Sequence, residues 1–581
     1  MPAWDVVIDV DALAAKEGED WVWRGATVVG THDRAIVGVS RSGRGEAVVL
    51  REFDIEARDF VPGGFVLPEA RSWVHWLDRD TFLLCSTLGE GMATHTGQPR
   101  TVRLWRRGED PLQAPVTFEI RPESVQVSIE NEDEADGEGL WFYEVMGNFA
   151  WRVWVGDRTG AKTLLDLPQD ALMFRQHGWL VIKATTEWLV DGEVYAPGTI
   201  IVIRFKDFLA GDRRFTRLFE PQSRRTISQF TWSGGQLILA ILDNLEPVIE
   251  VLTPSATGWS RERVSGLPQM GVVSAHRLDS LDHGSNGDFI AKAETPLTPP
   301  STFFVQPGRA PELLKREPAS FNADGLVVTR HEAVSTDGER VPYTQVGPRD
   351  ETGEAPVHLS SEGSGEFGLT KLPHYDSSAG KLWLERGGTR VIAHIRGGDE
   401  LGPAWYQAGR REGQRLAHDD FAAIAADLVR RGFTRPGRIA AQGGPLVANM
   451  LTRYPERFGA LFCAFPISDF RRLKKLRTMW IGDWGDPDKP EDWAYLAEMS
   501  AYHTAEPGRP YPPVLIATPR HTERQPVGHA RKLAAKLQAM GYAAHYWEPE
   551  HGAGGSITDA ERFAFPVLGY RFLRDAIGWD A

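Results

Sequence analysis

The second half of the chain carries side chains able to take part in acid–base or nucleophilic chemistry. His551 opens a glycine-rich stretch, residues 521–524 read His-Thr-Glu-Arg, and hydroxyl groups are supplied by Ser364 and Ser556. An imidazole can take a proton from an attacking hydroxyl, a carboxylate can orient the imidazole, and an arginine can bind a carbonyl oxygen. Acyl transfer requires these residue types, provided that the fold brings them together.

The elements that would position these side chains are strands alternating with amphipathic helices from about Phe321 onwards. The predicted strands cover 327–332, 341–346, 389–395 and 438–441, and the predicted helices lie around 419–431, 445–454, 533–540 and 568–577. In the clearest helix, apolar residues between Phe421 and Val429 follow helical spacing, and Asp419 and Asp420 are expected at its N-terminal end. This alternation predicts a parallel α/β sheet.

The first half, from about Trp21 to Val305, is predicted to contain short strands. Runs rich in Val, Ile, Phe and Trp alternate with Gly, Asp, Asn and Pro, without intervening amphipathic helices. A propeller can contain this many short strands in one domain more readily than a sandwich or a barrel can. The Pro-rich stretch Thr295–Thr302 is expected to be a connector. We therefore predict a β-propeller domain at 1–315, with a short N-terminal lead-in, and an α/β domain at 316–581.

Composition narrows the range of partners and locations. The chain has 65 basic and 79 acidic residues and a formal net charge of −14, which argues against binding to nucleic acid. It lacks an apolar run of the roughly 20 residues that a membrane-spanning helix needs, so no membrane partner is expected. Cys85 and Cys463 fall in different predicted domains, and the N-terminus does not read as a signal peptide. A cytoplasmic location is expected.

Six stretches of the second half resemble sequence motifs of a known family, and they occur in the same order as in that family. They are Trp383-Leu-Glu-Arg-Gly-Gly, residues 393–409, residues 419–428, Tyr454-Pro-Glu-Arg-Phe-Gly-Ala, residues 485–493 and residues 528–537. Together they resemble the prolyl oligopeptidase family of serine peptidases. The resemblance implies a seven-bladed β-propeller plus an α/β-hydrolase domain, with no cofactor and no metal. The family's helical arm before the propeller has no match here, so a partner protein is expected to cover the surface on which that arm packs.

The resemblance also implies that the catalytic triad is degenerate. The family has Gly-x-Ser-x-Gly-Gly between strand and helix, whereas this chain runs from Gln442 through two glycines into Pro445. About four residues, close to one helical turn, are therefore missing between Gly444 and Pro445, including the serine. Thr522 stands at the position of the acid and cannot carry its charge, and only His551 survives, at the position of the base.

Some residues of the family's ligand pocket have counterparts in this chain. Trp480 matches the tryptophan that stacks on proline, and Arg524 matches the arginine that binds substrate carbonyls. Ser364 stands in place of the oxyanion tyrosine, and its shorter side chain would not reach the same point; losing such a donor typically costs about 10² to 10³ in rate. Glu523 is one residue out of register with the acid. A pocket able to hold a peptide is expected to remain.

Serine peptidase activity is accordingly expected to be lost. We expect the chain to bind a peptide or peptide-like ligand at the propeller/hydrolase interface without cutting it. One alternative is an enzyme of another reaction class, such as cyclisation, dehydration or isomerisation of a biosynthetic intermediate, that uses His551 with Glu523, His521 or Ser556. A second alternative is an active hydrolase of the prolyl oligopeptidase type with a displaced nucleophile, Ser364 or Ser556.

Overall fold

A computed structural model describes most of the 581-residue chain. The described residues are 5–29, 33–41, 46–131, 139–147, 150–157, 160–278, 286–349, 353–361, 372–475, 481–520, 526–550 and 559–579. They divide into two compact units. The first takes its residues from 5–182 and 202–216, and the second from 183–201 and 217–579. The predicted domain boundary at 315/316 falls inside the second unit, so that division stays a prediction.

Antiparallel sheets of four or five strands follow one another along the first half of the chain. The first two sheets contain β1 (Trp21–Val28), β2 (Arg34–Arg41), β3 (Val48–Asp54), β4 (Asp59–Phe60) and β5 (Val66–Ala70), then β6 (Ser72–Asp78), β7 (Thr81–Ser86), β8 (Thr101–Arg106) and β9 (Val116–Glu119). The third contains β10 (Gln126–Asn131), β11 (Leu140–Gly147), β12 (Ala150–Gly156) and β13 (Lys162–Leu164). Helix α1 (Val10–Glu17) precedes them.

Three further sheets repeat this pattern. The fourth contains β14 (Leu172–Gln176), β15 (Trp179–Lys183), β18 (Ile200–Arg204) and β19 (Thr216–Phe219), with the separate hairpin β16 (Trp188–Val190) and β17 (Glu193–Tyr195) and helix α2 (Phe205–Leu209) between its strands. The last two contain β20 (Arg225–Ser233), β21 (Gln236–Asp243), β22 (Glu246–Ser255) and β23 (Gly258–Val264), then β24 (Val272–Arg277), β25 (Phe289–Thr295), β26 (Thr298–Val305) and β27 (Glu312–Arg316). Such repetition is typical of propeller blades.

The Pro-rich stretch Thr295–Thr302 is not a connector, and that prediction is wrong. Thr298–Val305 is strand β26, paired with β25 on one side and β27 on the other. Prolines 299 and 300 are tolerated at the start of the strand, where fewer ladder hydrogen bonds are lost. Composition alone could not distinguish a linker from a proline-containing strand whose partners lie on both sides.

The second half folds into one eight-stranded sheet in the order β28-β29-β31-β30-β32-β33-β34-β35. The strands are β28 (Leu326–Val334), β29 (Arg340–Pro348), β30 (Val357–Ser360), β31 (Thr389–Ala393), β32 (Ile439–Gly443), β33 (Ala460–Ala464), β34 (Val514–Ala517) and β35 (Ala544–Trp547). The first two pairings of the sheet are antiparallel, and the strands from β31 to β35 are parallel. The predicted parallel α/β sheet is present.

Helices cover both faces of this sheet. They are α3 (Ser377–Leu382), α4 (Pro403–Ala408), α5 (Gln414–Arg430), α6 (Pro445–Arg453), α7 (Ile481–Trp484), α8 (Pro490–Glu498), α9 (Ala501–Thr504), α10 (Gly528–Ala539) and α11 (Asp559–Ala576). Alternate strand residues face opposite sides. Leu359 and Ala441 pack in the core that includes residues of α5, α6 and α10. Ala440 and Phe462 pack in the core that includes residues of α3 and α11. None of the described helices is both long and apolar enough to cross a membrane.

Helix α5 starts earlier than predicted, so Asp419 and Asp420 lie within it and not at its N-terminal end. The Asp420 side chain is buried and accepts hydrogen bonds from Arg396 Nη2 at 2.6 Å and Ser335 Oγ at 2.6 Å. Asp419 accepts from the hydroxyl of Tyr454 at 2.5 Å. These carboxylates therefore join α5 to neighbouring segments, a role that only long-range contacts reveal.

Candidate functional site

Strand β32 passes directly into helix α6 at the point where the nucleophile would stand. Gly444 is the single residue between them and caps the helix without a side chain. Its carbonyl accepts from Ala448 N–H at 3.2 Å, so the first helical turn forms at once. Pro445 occupies the first helical position, as predicted, and the Asn449 amide donates to its carbonyl at 2.9 Å. The passage offers no hydroxyl.

The passage is also packed too closely to resemble a nucleophile turn. A Cβ atom at Gly443 would lie 2.9 Å from Cγ2 of Val447, so even an alanine there would force this buried side chain to move. Gly444 has φ −89° and ψ −120°, outside the left-handed region. A catalytic serine on this fold sits on a sharp, strained turn that exposes its Oγ. The observed passage instead enters helix α6 after one glycine, and the crowding is confined to Gly443, since a Cβ atom at Gly444 would come no closer than 3.4 Å to another residue.

The segments that carry the predicted acid position and the predicted base follow neighbouring parallel strands. Thr518 N–H, just after β34, donates to the carbonyl of Trp547 at 3.2 Å, and Arg520 N–H donates to the carbonyl of Pro549 at 2.8 Å. The carboxyl ends of β34 and β35 therefore lie side by side at one edge of the sheet. The α/β fold places its binding and catalytic groups at this edge.

Charge pairs link the same two strand ends. Glu548 accepts hydrogen bonds from Arg520 Nε at 3.0 Å and from Arg531 Nε at 2.7 Å, and its side chain is 10% exposed. Arg531 first, and then Tyr546 and Arg520, hold the pKa of Glu548 at about 2 against the opposing effect of burial. Glu548 is therefore ionised over the whole physiological range and anchors both arginines.

The side chains predicted to form the site lie outside the described residues. These are Ser364, Trp480, His521, Thr522, Glu523, Arg524, His551 and Ser556. Their roles stay predictions. The structure describes the passage from Gly443 to Pro445, and it describes Arg520 and Glu550, which adjoin two of these segments in the sequence.

A group of polar residues beside this passage escaped the sequence prediction. His358 on β30 is buried, and its Nε2 lies 3.2 Å from Oε1 of Gln442, the residue before Gly443. Burial, and next the nearby Arg390 cation, lower the pKa of His358 to about 4, so the imidazole is neutral at pH 7.

Ser360 lies opposite Gln442 on the adjacent strand, and its buried Oγ has no hydrogen-bond partner within the described part of the chain. The sequence contains one sign of this group, because His358 and Ser360 alternate with apolar residues in strand β30 and so face the same side of the sheet.

Comparisons with known proteins identify the family of this chain. Residues 373–563 match the model of the prolyl oligopeptidase family. The chain is 30% identical to a relative from Sinorhizobium fredii named uncharacterized peptidase y4nA, over 99% of this chain and 81% of that protein. A second relative, uncharacterized peptidase RP174 of Rickettsia prowazekii, is 24% identical over 97% of this chain and 81% of its own length. The chain therefore belongs to the prolyl oligopeptidase family.

Solved structures support the architecture. A post-proline cleaving enzyme from Rickettsia typhi superposes with a TM-score of 0.90 at 22% identity, covering 100% of this chain and 87% of that one. Oligopeptidase B from Leishmania major gives a TM-score of 0.79 at 19% identity, covering 99% and 81%. The predicted fold class, a β-propeller plus an α/β-hydrolase domain, is confirmed. The prediction named seven blades, and the described residues form six sheets of four or five strands that repeat as blades do.

Proposed function

We propose that this member of the family has lost serine peptidase activity and binds a peptide or peptide-like ligand, at the propeller/hydrolase interface, without cleaving it. The observation that carries the proposal is the direct passage from β32 through Gly444 into Pro445. A peptidase of this family needs an attacking hydroxyl at that point, and the chain has none there. In a comparable triad, losing the nucleophile lowers kcat about 10⁶-fold.

The predicted acid position strengthens the case against catalysis. Thr522 follows the strand end at Arg520, where an aspartate would orient the histidine. A threonine hydroxyl cannot balance the charge of an imidazolium, and loss of the acid alone typically costs about 10⁴ in kcat. With both groups absent from the family's positions, His551 would lack the hydroxyl that a triad histidine deprotonates and the carboxylate that fixes its tautomer.

Binding is proposed because the ligand-contacting residue types remain in sequence. Trp480 offers an aromatic face for a proline ring, and Arg524 offers donors for a carbonyl oxygen. Glu523 and Ser364 supply further polar groups. A sequence that keeps recognition residues while lacking the nucleophile is consistent with a protein that binds a peptide without hydrolysing it.

The first experiment asks whether any serine is activated. The purified protein is treated with a fluorophosphonate probe and, separately, with a fluorogenic proline-containing peptide. We expect neither labelling nor cleavage. Labelling at Ser364 or Ser556, or cleavage blocked by a serine-directed inhibitor, would contradict the proposal and favour a displaced nucleophile.

The second experiment measures binding directly by fluorescence anisotropy of a labelled proline-containing peptide. Trp480→Ala should weaken binding by about tenfold or more, the range for removing a stacked aromatic ring. Trp23→Ala is the matched control, because Trp23 is a 44% exposed tryptophan of β1. His551→Ala should leave the affinity unchanged. A defined turnover that disappears in His551→Ala, without probe labelling, would instead identify an enzyme of another reaction class.

A further inference from the structure

The hairpin turn between β21 and β22 has an unusual residue at its tip. Asp243 pairs with Glu246 across the turn, so Asn244 and Leu245 form a two-residue connection with φ values of 50° and 69°. Such turns require positive φ at both positions and normally use Asn followed by Gly. A leucine in this conformation is disfavoured by its bulk. Something outside the turn must compensate.

Leu245 is compensated by burial. It is 1% exposed and packs with Leu242 from its own hairpin and with Leu372 and Leu401 from the second half of the chain. Burying a leucine side chain is favourable enough to offset one unfavourable backbone conformation. The turn is therefore held in place within the second compact unit.

Arg330 of β28 binds the same turn through its backbone. Nη1 donates to the carbonyl of Asn244 at 2.9 Å and Nη2 donates to the carbonyl of Leu245 at 3.1 Å. Both acceptors are neutral, and the closest carboxylate oxygen, on Glu246, lies 3.6 Å away. The Nε–H of Arg330 is buried and has no acceptor among the residues that the structure describes. The guanidinium is therefore incompletely satisfied by hydrogen bonds to the described residues.

Positive charge exceeds negative charge around Arg330. Arg340 Nε bonds Glu332 at 2.5 Å, and Arg224 bonds both Glu332 and, at 2.9 Å, the carbonyl of Arg340. Glu332 is thus shared by two arginines, and among the described residues the carboxylate that forms an ion pair with Arg330 is that of the half-exposed Glu246. Burial lowers the pKa of Arg330, which agrees with an incompletely neutralised cation. A cation in such a position gains free energy from an added anion.

A crevice of about 360 Å³ opens next to this guanidinium. Its lining includes Arg330, Glu332, Arg340, Pro342 and the turn residues Asn244 and Leu245. Its volume is within the range of small-molecule sites. We propose that this crevice binds an oxyanion, the phosphate or carboxylate group of a small molecule, between Arg330 and Arg340. Arginine suits such a ligand because its planar donors match the oxygen atoms of both groups.

A bound oxyanion would also strengthen the attachment of the hairpin. Arg330 holds the Asn244–Leu245 turn, and an anion that fixes its guanidinium restricts the same contact. Amide hydrogen exchange in residues 236–252 should therefore slow when the site is filled, because opening of the turn would require release of the ligand. This expectation does not depend on the peptide-binding proposal.

Isothermal titration calorimetry with inorganic phosphate, and separately with acetate, tests the site at constant ionic strength. We expect saturable binding of at least one anion, weakened about tenfold or more by Arg330→Gln and by Arg340→Gln, since each removes a charge-assisted donor. Arg330→Lys should also weaken binding, because lysine lacks the planar donor edge. Arg340 is the safer variant for folding, as its side chain is 68% exposed.

The matched control is Arg214→Gln, which removes an arginine that is 90% exposed and pairs with Asp212. The Arg214→Gln variant should bind the anion with the same affinity as the parent protein. Binding of phosphate alone would assign the ligand to phosphate-bearing molecules, and binding of acetate alone to carboxylates. No saturable binding of either anion, or equal binding in folded Arg330→Gln and Arg340→Gln, would overturn the proposal.

Discussion

The guanidinium of Arg520 lies 3.0 Å from a carboxylate oxygen of Glu550. Arg520 immediately precedes the segment with the acid position Thr522, and Glu550 immediately precedes His551. The ion pair therefore joins the starts of the two segments that a peptidase of this family uses to orient its histidine. The ends of strands β34 and β35 that lead into these two segments are therefore held together by an ion pair as well as by backbone hydrogen bonds.

Glu548 should stabilise the protein in a pH-dependent manner. Its pKa is about 2 in the folded protein against 4.5 ordinarily, so its contribution is present above pH 4.5 and is lost as the pH falls through 2. Glu548→Gln should lower the free energy of unfolding at pH 7 by about 1.5 to 3 kcal/mol, the range for hydrogen bonds to a charged group. Urea unfolding at several pH values would measure the difference, which should shrink below pH 4.5.

Glu456→Gln is the control for this experiment, because Glu456 is 58% exposed and pairs with Arg457. An exposed pair contributes less than about 1 kcal/mol. A Glu548→Gln effect that stays constant down to pH 3 would mean that its charge is not the cause.

Gly443→Ala should destabilise the protein by about 1 to 3 kcal/mol, because overpacking a buried site forces neighbours out of place. The clash is with Cγ2 of Val447, 2.9 Å from the new Cβ. Gly528→Ala is the matched control, since a Cβ at the start of α10 meets nothing within 4 Å. Chemical unfolding of both variants checks the prediction. Equal stabilities would show that the passage is looser than the structure indicates.

Restoring the missing turn should restore serine reactivity in part. Inserting Ser-Ala-Gly-Gly between Gly444 and Pro445 adds about one helical turn, so the apolar stripe of α6 can keep its direction. Alone, the insertion should give weak fluorophosphonate labelling, because the acid is absent. Adding Thr522→Asp should raise the labelling rate by about 10² or more, since the acid contributes up to about 10⁴ in such triads.

The control insertion carries alanine in place of the serine and should not be labelled. Circular dichroism establishes that each variant is folded. If the folded double variant remains unlabelled, the passage at Gly444 is not the position from which the nucleophile was lost.

Leu245→Ala should lower the free energy of unfolding by about 2 to 4 kcal/mol, the cost of truncating a leucine in a core. Both residues carry a Cβ, so the positive φ of 69° affects them similarly and the difference reports packing. Leu313→Ala serves as the control, because Leu313 of β27 is 45% exposed. A loss below about 1 kcal/mol, the scale of an exposed site, would mean that Leu245 does not anchor the hairpin.

Much of this protein can be predicted from local sequence patterns. Alternating apolar residues predict the strands, helical spacing predicts α5, α6, α10 and α11, and the glycines before Pro445 show that no serine follows β32. These features depend on residues that are close together in the chain, so they can be predicted from the order of the amino acids alone. The family motifs have the same property.

Other features were decided by tertiary contacts. The stretch Thr298–Val305 is a strand because β25 and β27 pair with it, and Asp420 is buried because Arg396 and Ser335 reach it from distant segments. Likewise, the contact between Arg330 and the Asn244–Leu245 turn joins residues that are 85 to 86 positions apart. Hydrogen bonds and charge pairs of this kind produce no periodic pattern in the sequence. Their energy depends on which surfaces the fold brings together.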